Sequence, residues 1–160
     1  MAKYFIYPSE GFSGGTVTDG TVTTGTFAGS STVTNEERAI DMSISTAMTD
    51  LDVDDWLQFD VGADNKDINA DAIAIYFNVD QSAGNNLKLY SSDTTTVGTE
   101  IIHLGAVPND GFPLGWNVFT FDANNGQYWY LHSNTGTLSG VAEVIIGKKL
   151  SLTNIELTGS

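Results

Sequence analysis

The sequence predicts an all-β fold, an antiparallel β-sandwich, and three observations carry that prediction. Short runs alternate apolar and polar residues, as in Leu57-Gln58-Phe59-Asp60-Val61, which puts Leu57, Phe59 and Val61 on one face of a strand. Turn-forming clusters separate the runs, at Ala83-Gly84-Asn85, Pro108-Asn109-Asp110-Gly111 and Ala123-Asn124-Asn125-Gly126. No window sustains an apolar stripe at the 3.6-residue period of a helix. About eight short strands at roughly 10–15-residue spacing match a two-layer antiparallel sandwich.

The chain divides into an N-terminal arm, residues 1–35, and a sandwich domain, residues 36–160. Gly, Ser and Thr dominate from Ser9 to Thr34, and Thr16-Val17-Thr18-Asp19-Gly20 recurs as Thr21-Val22-Thr23-Thr24-Gly25. Each copy is a β-branched run closed by a turn glycine. The two copies either pair as a small hairpin or lie as an extended arm, and the composition is also that of a linker. Tyr4, Phe5, Ile6, Tyr7, Phe12 and Phe27 are too apolar for a purely solvated tail, so the sharper expectation is an arm that docks on a partner.

Within the domain, Ala39 to Ser45 alternates and reads as a strand. Leu57 to Val61 follows. Ala72 to Val79 is more continuously apolar, as a central strand should be. Asn86 to Tyr90, Glu100 to Leu104 and Val118 to Phe121 alternate again. Tyr128 to Leu131 and Ala142 to Ile146 come next, and a last strand is expected over Leu150 to Leu157.

Size and charge bound the function. The chain has 160 residues, enough for one domain with its own core. It has no cysteine, so disulfides and thiolate metal sites are excluded. Twenty acidic against six basic residues give a net charge of −14, which repels phosphate backbones and argues against nucleic-acid binding. No stretch approaches the ~20 apolar residues of a membrane span. The opening Met1 to Pro8 lacks the long apolar core and small-residue cleavage site of a signal peptide, so synthesis in the cytoplasm is expected.

Five motifs in order resemble a known family. Asp55-Trp56-Leu57-Gln58-Phe59-Asp60-Val61-Gly62 looks like an early strand whose tryptophan seals the sandwich and whose Asp-x-Gly opens a loop. Ile68 to Phe77, Leu87 to Asp93, Phe119 to Leu131 and Val141-Ala142-Glu143-Val144-Ile145-Ile146-Gly147 follow. Together they resemble the galactose-binding-like (discoidin-type) module, as found in structural proteins of tailed-phage virions. The resemblance implies a jelly-roll topology. Two departures weaken any transfer of a specific sugar- or lipid-binding activity. The terminal cysteines of secreted members are missing, and Trp129 stands where many members have an arginine.

Catalysis has little support. His103 and His132 lie in or beside strand patterns, where surface or satisfied side chains are the rule. No nucleophile elbow, zinc signature or phosphate loop occurs, so the chain is not expected to be an enzyme and no cofactor is required. Calcium is the one ion with a physical case, since Asp50, Asp52 and Asp54 alternate before Trp56 and calcium takes six to eight oxygen ligands. In related modules the glutamate of the closing strand joins such an ion, which here implicates Glu143. A solvated acidic turn is the plainer reading. For a glycan, an exposed aromatic with hydrogen-bonding neighbours is needed. Trp56 and Trp129 sit inside apolar alternations and read as core. Trp116 follows a Gly/Pro loop and is the candidate platform, with Asn117 and His103 as polar partners.

The first functional expectation is a virion structural protein, a capsid decoration protein. It would bind the major capsid protein or other virion proteins through arm and sandwich, as a homo-oligomer on the particle. The alternative is a carbohydrate-binding module that attaches its carrier to host glycans.

Overall fold

A computed structural model describes residues 4–6, 16–23, 26–27, 33–41, 43–67, 69–81, 86–95, 99–105 and 111–151. The strands are β1 (Tyr4–Ile6), β2 (Thr16–Thr23), β3 (Thr26–Phe27), β4 (Asp55–Asp60), β5 (Ala70–Phe77), β6 (Asn86–Ser92), β7 (Thr99–Gly105), β8 (Gly115–Asn124), β9 (Tyr128–Thr135), β10 (Val141–Gly147) and β11 (Lys149–Ser151). They form a six-stranded sheet in the order β3-β2-β4-β9-β6-β7, a three-stranded sheet β10-β5-β8, and a β1-β11 pair. Every strand pairing is antiparallel. The fold is an antiparallel β-sandwich, as the alternation predicts, of the jelly-roll class that the resemblance implies.

The core lies between the two larger sheets. Leu57, Phe59 and Val61 at β4, Leu87 and Leu89 of β6, and Trp129 and Leu131 of β9 face Ile73, Ile75 and Phe77 of β5 and Val144 and Ile146 of β10. Phe121 of β8 reaches Trp129 across the gap, with ring centroids 5.9 Å apart. Each such buried side chain contributes roughly 1.5–3 kcal/mol of apolar transfer. The continuously apolar β5 is the middle strand of its sheet.

Two local expectations are corrected. Ala39 to Ser45 is not a strand. Glu36–Ile40 is a 3-10 turn, and the chain bends again at Ile44 and Ser45. Asp41 explains this, since Oδ1 accepts the Ser43 N–H at 2.8 Å and Oδ2 accepts the Thr46 hydroxyl at 2.9 Å. Such side-chain bonds compete with a strand ladder. The turn lies against β2 and β10, at one side of the sandwich.

The second correction concerns the Thr/Val repeat. β2 runs straight through Gly20 and pairs along β4, from Thr16↔Asp60 to Thr21↔Asp55, and only the second copy leads into a hairpin, with Val22↔Phe27. β1 pairs with β11, Phe5 opposite Leu150. Two segments of the expected arm are therefore strands paired within the chain. Tyr4, Phe5, Ile6 and Phe27 are strand positions whose side chains lie outside the described residues, and Tyr7 and Phe12 lie outside them altogether. The expected last strand begins as β11 at Lys149–Ser151; the remainder of its span, residues 152–157, is outside the described residues.

Candidate functional site

The outward face of the three-stranded sheet carries the exposed aromatic. Ile73, Ile75 and Phe77 lie in the core, so Ala72, Ala74 and Tyr76 lie on the opposite face of the strand, where Ala72 and Ala74 are themselves buried and Tyr76 is half-buried. Register then assigns their companions. Tyr76 lies opposite Trp116 on β8 and Glu143 on β10, and Ala74 lies opposite Val118 and Ile145. Trp116 is 46% exposed, and Leu114 and Val118, two residues to either side of it, are exposed as well. It stands edge-on to Tyr76, with centroids 5.4 Å apart and planes at 77°. That arrangement suits the ring quadrupoles and leaves an indole surface open.

The loops at this end are held from inside. Phe112 stacks on Phe77 at 5.2 Å, which anchors the segment leading to β8. Asn117 Nδ2 donates to the carbonyls of Pro113 and Gly115, at 2.8 and 3.0 Å, and so braces the turn before Trp116. Gly115 takes φ +103°, a backbone state that a side chain resists. From the loop after β5, Asp80 Oδ1 accepts the Leu114 N–H at 2.7 Å. Gln81 is buried and ties three loops together. Its backbone N–H donates to Phe112 O at 2.9 Å, its Nε2 to the Val79 and Ser139 carbonyls, and its Oε1 accepts the Ser139 N–H at 2.9 Å. The result is an open indole on a pre-set frame.

The other named residues are not gathered there. Asn117 acts as a brace under Trp116. His103 sits in β7, the edge strand of the other sheet, opposite Lys88, and its side chain is outside the described residues. Trp129 is fully buried in the core, and its Nε1 donates to Gly126 O at 2.9 Å. Trp56 is also buried, but on the opposite face of β4 from Leu57 and Phe59, where it meets Tyr130 edge-on at 5.7 Å. It therefore does not seal the space between the sheets. Tyr130 accepts a 2.6 Å bond from Gln58 Nε2, and burial raises its phenol pKa above the usual value despite that bond.

The calcium set does not assemble. Asp52 Oδ1 accepts the Thr137 hydroxyl at 2.8 Å, and Asp55 Oδ2 accepts the Asp52 N–H at 3.0 Å. Asp54 adopts φ +70° and its carboxylate faces His132, Oδ1 to Nε2 3.8 Å. Asp50 is exposed, while Glu143 is only 3% exposed and belongs to the other sheet. The alternation in sequence is broken by the turn at Asp54, so the carboxylates do not converge. Among the described residues no group of three or more acidic or histidine side chains is placed to hold a metal ion. No described helix is long and apolar enough to cross a membrane.

Tyr76, Asp80, Gln81 and Leu114 are the site residues that sequence reasoning missed. Tyr76 had a readable signal, the Ala72-Ile73-Ala74-Ile75-Tyr76-Phe77 alternation of small and large residues. Asp80 and Gln81 had none, because their partners are about 30 and 60 residues away in the chain.

No protein-family model matches the sequence, and no curated protein matches it. Solved structures do. One is a family 89 glycoside hydrolase from Clostridium perfringens in complex with 2-acetamido-1,2-dideoxynojirmycin, at TM-score 0.60 and 19% identity over 86% of this chain. The match spans only 14% of that enzyme's length. Another is the family 32 carbohydrate-binding module of C. perfringens NanJ in complex with galactose, at TM-score 0.53 and 14% identity, covering 90% of this chain and 98% of that one. A third is chitosan-binding module 1 from a chitosanase/glucanase of Paenibacillus sp. IK-5, at TM-score 0.52 and 17% identity, covering 82% and 92%. At such identities the likeness concerns the fold alone: this chain shares a β-sandwich fold with the NanJ family 32 carbohydrate-binding module.

Proposed function

We propose that the chain is a non-enzymatic carbohydrate-binding module that docks a saccharide on Trp116. The observation that carries this reading is an indole left 46% exposed on a frame fixed by Asn117, Asp80 and Gln81. A protein leaves a large aromatic in water at a cost, and a pyranose ring offers the flat C–H face that offsets it. Tyr76 stands beside the indole, and the Asp80 carboxylate lies on the adjoining loop as a hydrogen-bond acceptor. Two of the similar folds are described as bound to galactose and as chitosan-binding, which supports saccharides as the ligand class.

The virion reading rests on an arm that adds strands or buries aromatics on a neighbour, together with the sandwich. Within the chain β1 pairs with β11 and β2 with β4, and the similar folds support a saccharide rather than a capsid partner. The test of the glycan reading is a glycan array or affinity electrophoresis on the whole chain and on Trp116→Ala. The substitution is exposed and should leave the thermal transition nearly unchanged. Loss of saccharide retention is expected, and retention equal to wild type would refute the assignment.

A further inference from the structure

We propose that β8 is the edge at which two copies of this chain pair. The two β8 strands run antiparallel about a two-fold axis at Val118 and join the three-stranded sheets into one continuous sheet. The pairing goes beyond the glycan reading and does not depend on it.

The two larger sheets end in β3, β7, β10 and β8. Three of these edges are protected. β3 is two residues long. β7 carries Glu100 and His103. β10 has the 3-10 turn Glu36–Ile40 and β1 against it. Short strands, charged residues and covering segments are the usual means of keeping an open ladder from recruiting another chain. β8 has none of them. It is ten residues long, has no proline, lysine or arginine, and holds one charge, Asp122. Among the described residues it is hydrogen-bonded to β5 alone, and β7 passes near it without pairing. Its ladder with β5 is regular from Gly115 to Thr120 and shifts only beyond that point.

The side chains show that this edge is open. On one face Trp116, Val118 and Thr120 are exposed. On the other, Phe119 and Phe121 pack on Phe112 and Trp129 of the core, yet both are only half-buried. Apolar surface left in water beside an open ladder is what a further strand would cover.

Charge and symmetry identify that strand. A body of net charge −14 repels its own copies, but Phe112 to Phe121 contains no charged residue. Copies can therefore approach along this edge. Residues directly opposite in an antiparallel pair share a face, so a two-fold axis normal to the sheet sets one residue opposite itself. Asn117 is taken up in bracing Pro113 and Gly115, whereas Val118 is exposed and β-branched. With Val118 on the axis, each Trp116 meets the other copy's Thr120 and each Gly115 the other's Phe121. Asp122 falls opposite Leu114, so the one charge on β8 never meets itself. The added strand lies in the plane of the sheet and leaves the face of the indole open.

The experiment is sedimentation equilibrium of the full chain over a wide range of concentration, at low salt and at about 0.5 M salt, where screening acts over roughly 4 Å. A monomer–dimer equilibrium is expected, with the dimer favoured at high salt because the bodies repel. Val118→Lys sets a cation against its own copy and should weaken the dimer about five- to tenfold. Cross-linking maps the axis, since the chain has no cysteine of its own. Opposite Cα atoms in an antiparallel pair lie about 4.5–5.5 Å apart, within the span of a disulfide. Val118→Cys should therefore form a covalent dimer in air, far faster than Ile44→Cys or Val53→Cys, which are exposed elsewhere.

A chain that stays monomeric at every concentration and at high salt overturns the proposal. So does a dimer that Val118→Lys leaves unweakened, or a Val118→Cys protein that cross-links no faster than the two controls. The cysteine variant decides the matter by itself if Val118→Lys fails to fold. Saccharide retention plays no part in these readouts, so failure of the glycan reading leaves the pairing standing, and the reverse.

Discussion

Removing the Gln81 side chain should loosen the Trp116 end of the sandwich before it harms the core. Gln81→Ala deletes two donated bonds and one accepted bond, leaving the Val79 and Ser139 carbonyls and the Ser139 N–H without this partner. Each buried group left unpaired costs about 1–3 kcal/mol, and water recovers part of that at a loop, so a total of about 2–4 kcal/mol is expected. For a chain of this size 1 kcal/mol shifts Tm by about 2–4 °C, which makes the expected fall about 4–16 °C. Gln81→Glu is the sharper probe. It keeps an oxygen for the Ser139 N–H but turns an oxygen toward two carbonyls that need a donor. At neutral pH it should be no more stable than the alanine variant. Protonating the new carboxyl restores a donor, so its pKa in the folded state is raised above the unfolded value. The added stability is then full below about pH 4.3 and is lost as pH rises through the raised pKa. Thermal melts of the three proteins across that range provide the assay. A Gln81→Glu protein as stable as wild type at neutral pH would refute the clamp. In either variant, saccharide affinity measured well below Tm should also drop, because the Ser139 loop loses its side-chain tie to the segment whose backbone N–H holds Phe112 ahead of Trp116.

Three further outcomes follow from the same geometry. Gly140 and Gly62 both have positive φ, but a Cβ at Gly140 would meet Asn78 Oδ1 and come within 2.7 Å of Val79, whereas one at Gly62 meets nothing within 4 Å. Gly62→Ala should cost about 1–2 kcal/mol from backbone strain alone, and Gly140→Ala about 1–3 kcal/mol more, as read by urea denaturation; equal costs would show that the crowding is relieved without penalty. Trp129→Phe should lose about 2–3 kcal/mol, because it opens space beside Phe121 and leaves Gly126 O without its indole donor. Tyr130 has its folded pKa raised above 10.0, so its contribution is full below that pH and is lost as pH climbs through the raised value; Tyr130→Phe should flatten the alkaline limb of the stability curve, and phenolate absorbance in the difference between the two proteins should reach its midpoint above pH 10.0.

How far the fold was legible depended on whether one side of a strand faced the core. At Leu57 to Val61 and Leu87 to Tyr90 the alternation named the inward residues, and those residues are the core. The central position of β5 was legible from its run of apolar residues. Ala39 to Ser45 misled because its alternation is made of small and polar side chains, and Asp41 finds better partners in its own loop. Trp56 is buried, as its apolar setting suggested, but by parity it shares the other face of β4 with Gln58, and there it packs on Tyr130 and does not seal the space between the sheets.

The candidate site was half legible for a physical reason that differs from residue to residue. Trp116 was visible because Pro113 and Gly115 announce a turn, and a tryptophan just after a turn is hard to bury. Its neighbours were not visible, since they depend on register. A one-residue slip of β5 against β8 would put Ile75 or Phe77 beside Trp116 in place of Tyr76 and would turn the aromatic pair inside out. What prevents the slip is tertiary: Gly140 O takes the Asn78 N–H at 2.9 Å, Asp80 holds Leu114, and Gln81 holds Ser139 and Phe112. The acidic run at Asp50 to Asp55 is the converse case. Its spacing in sequence suggested converging ligands, yet the left-handed Asp54 turns the chain so that Asp52 serves Thr137 and Asp55 closes its own turn. Carboxylates close in sequence were scattered by a single backbone angle, while an indole and a phenol 40 residues apart were brought together by a register that three loop contacts lock.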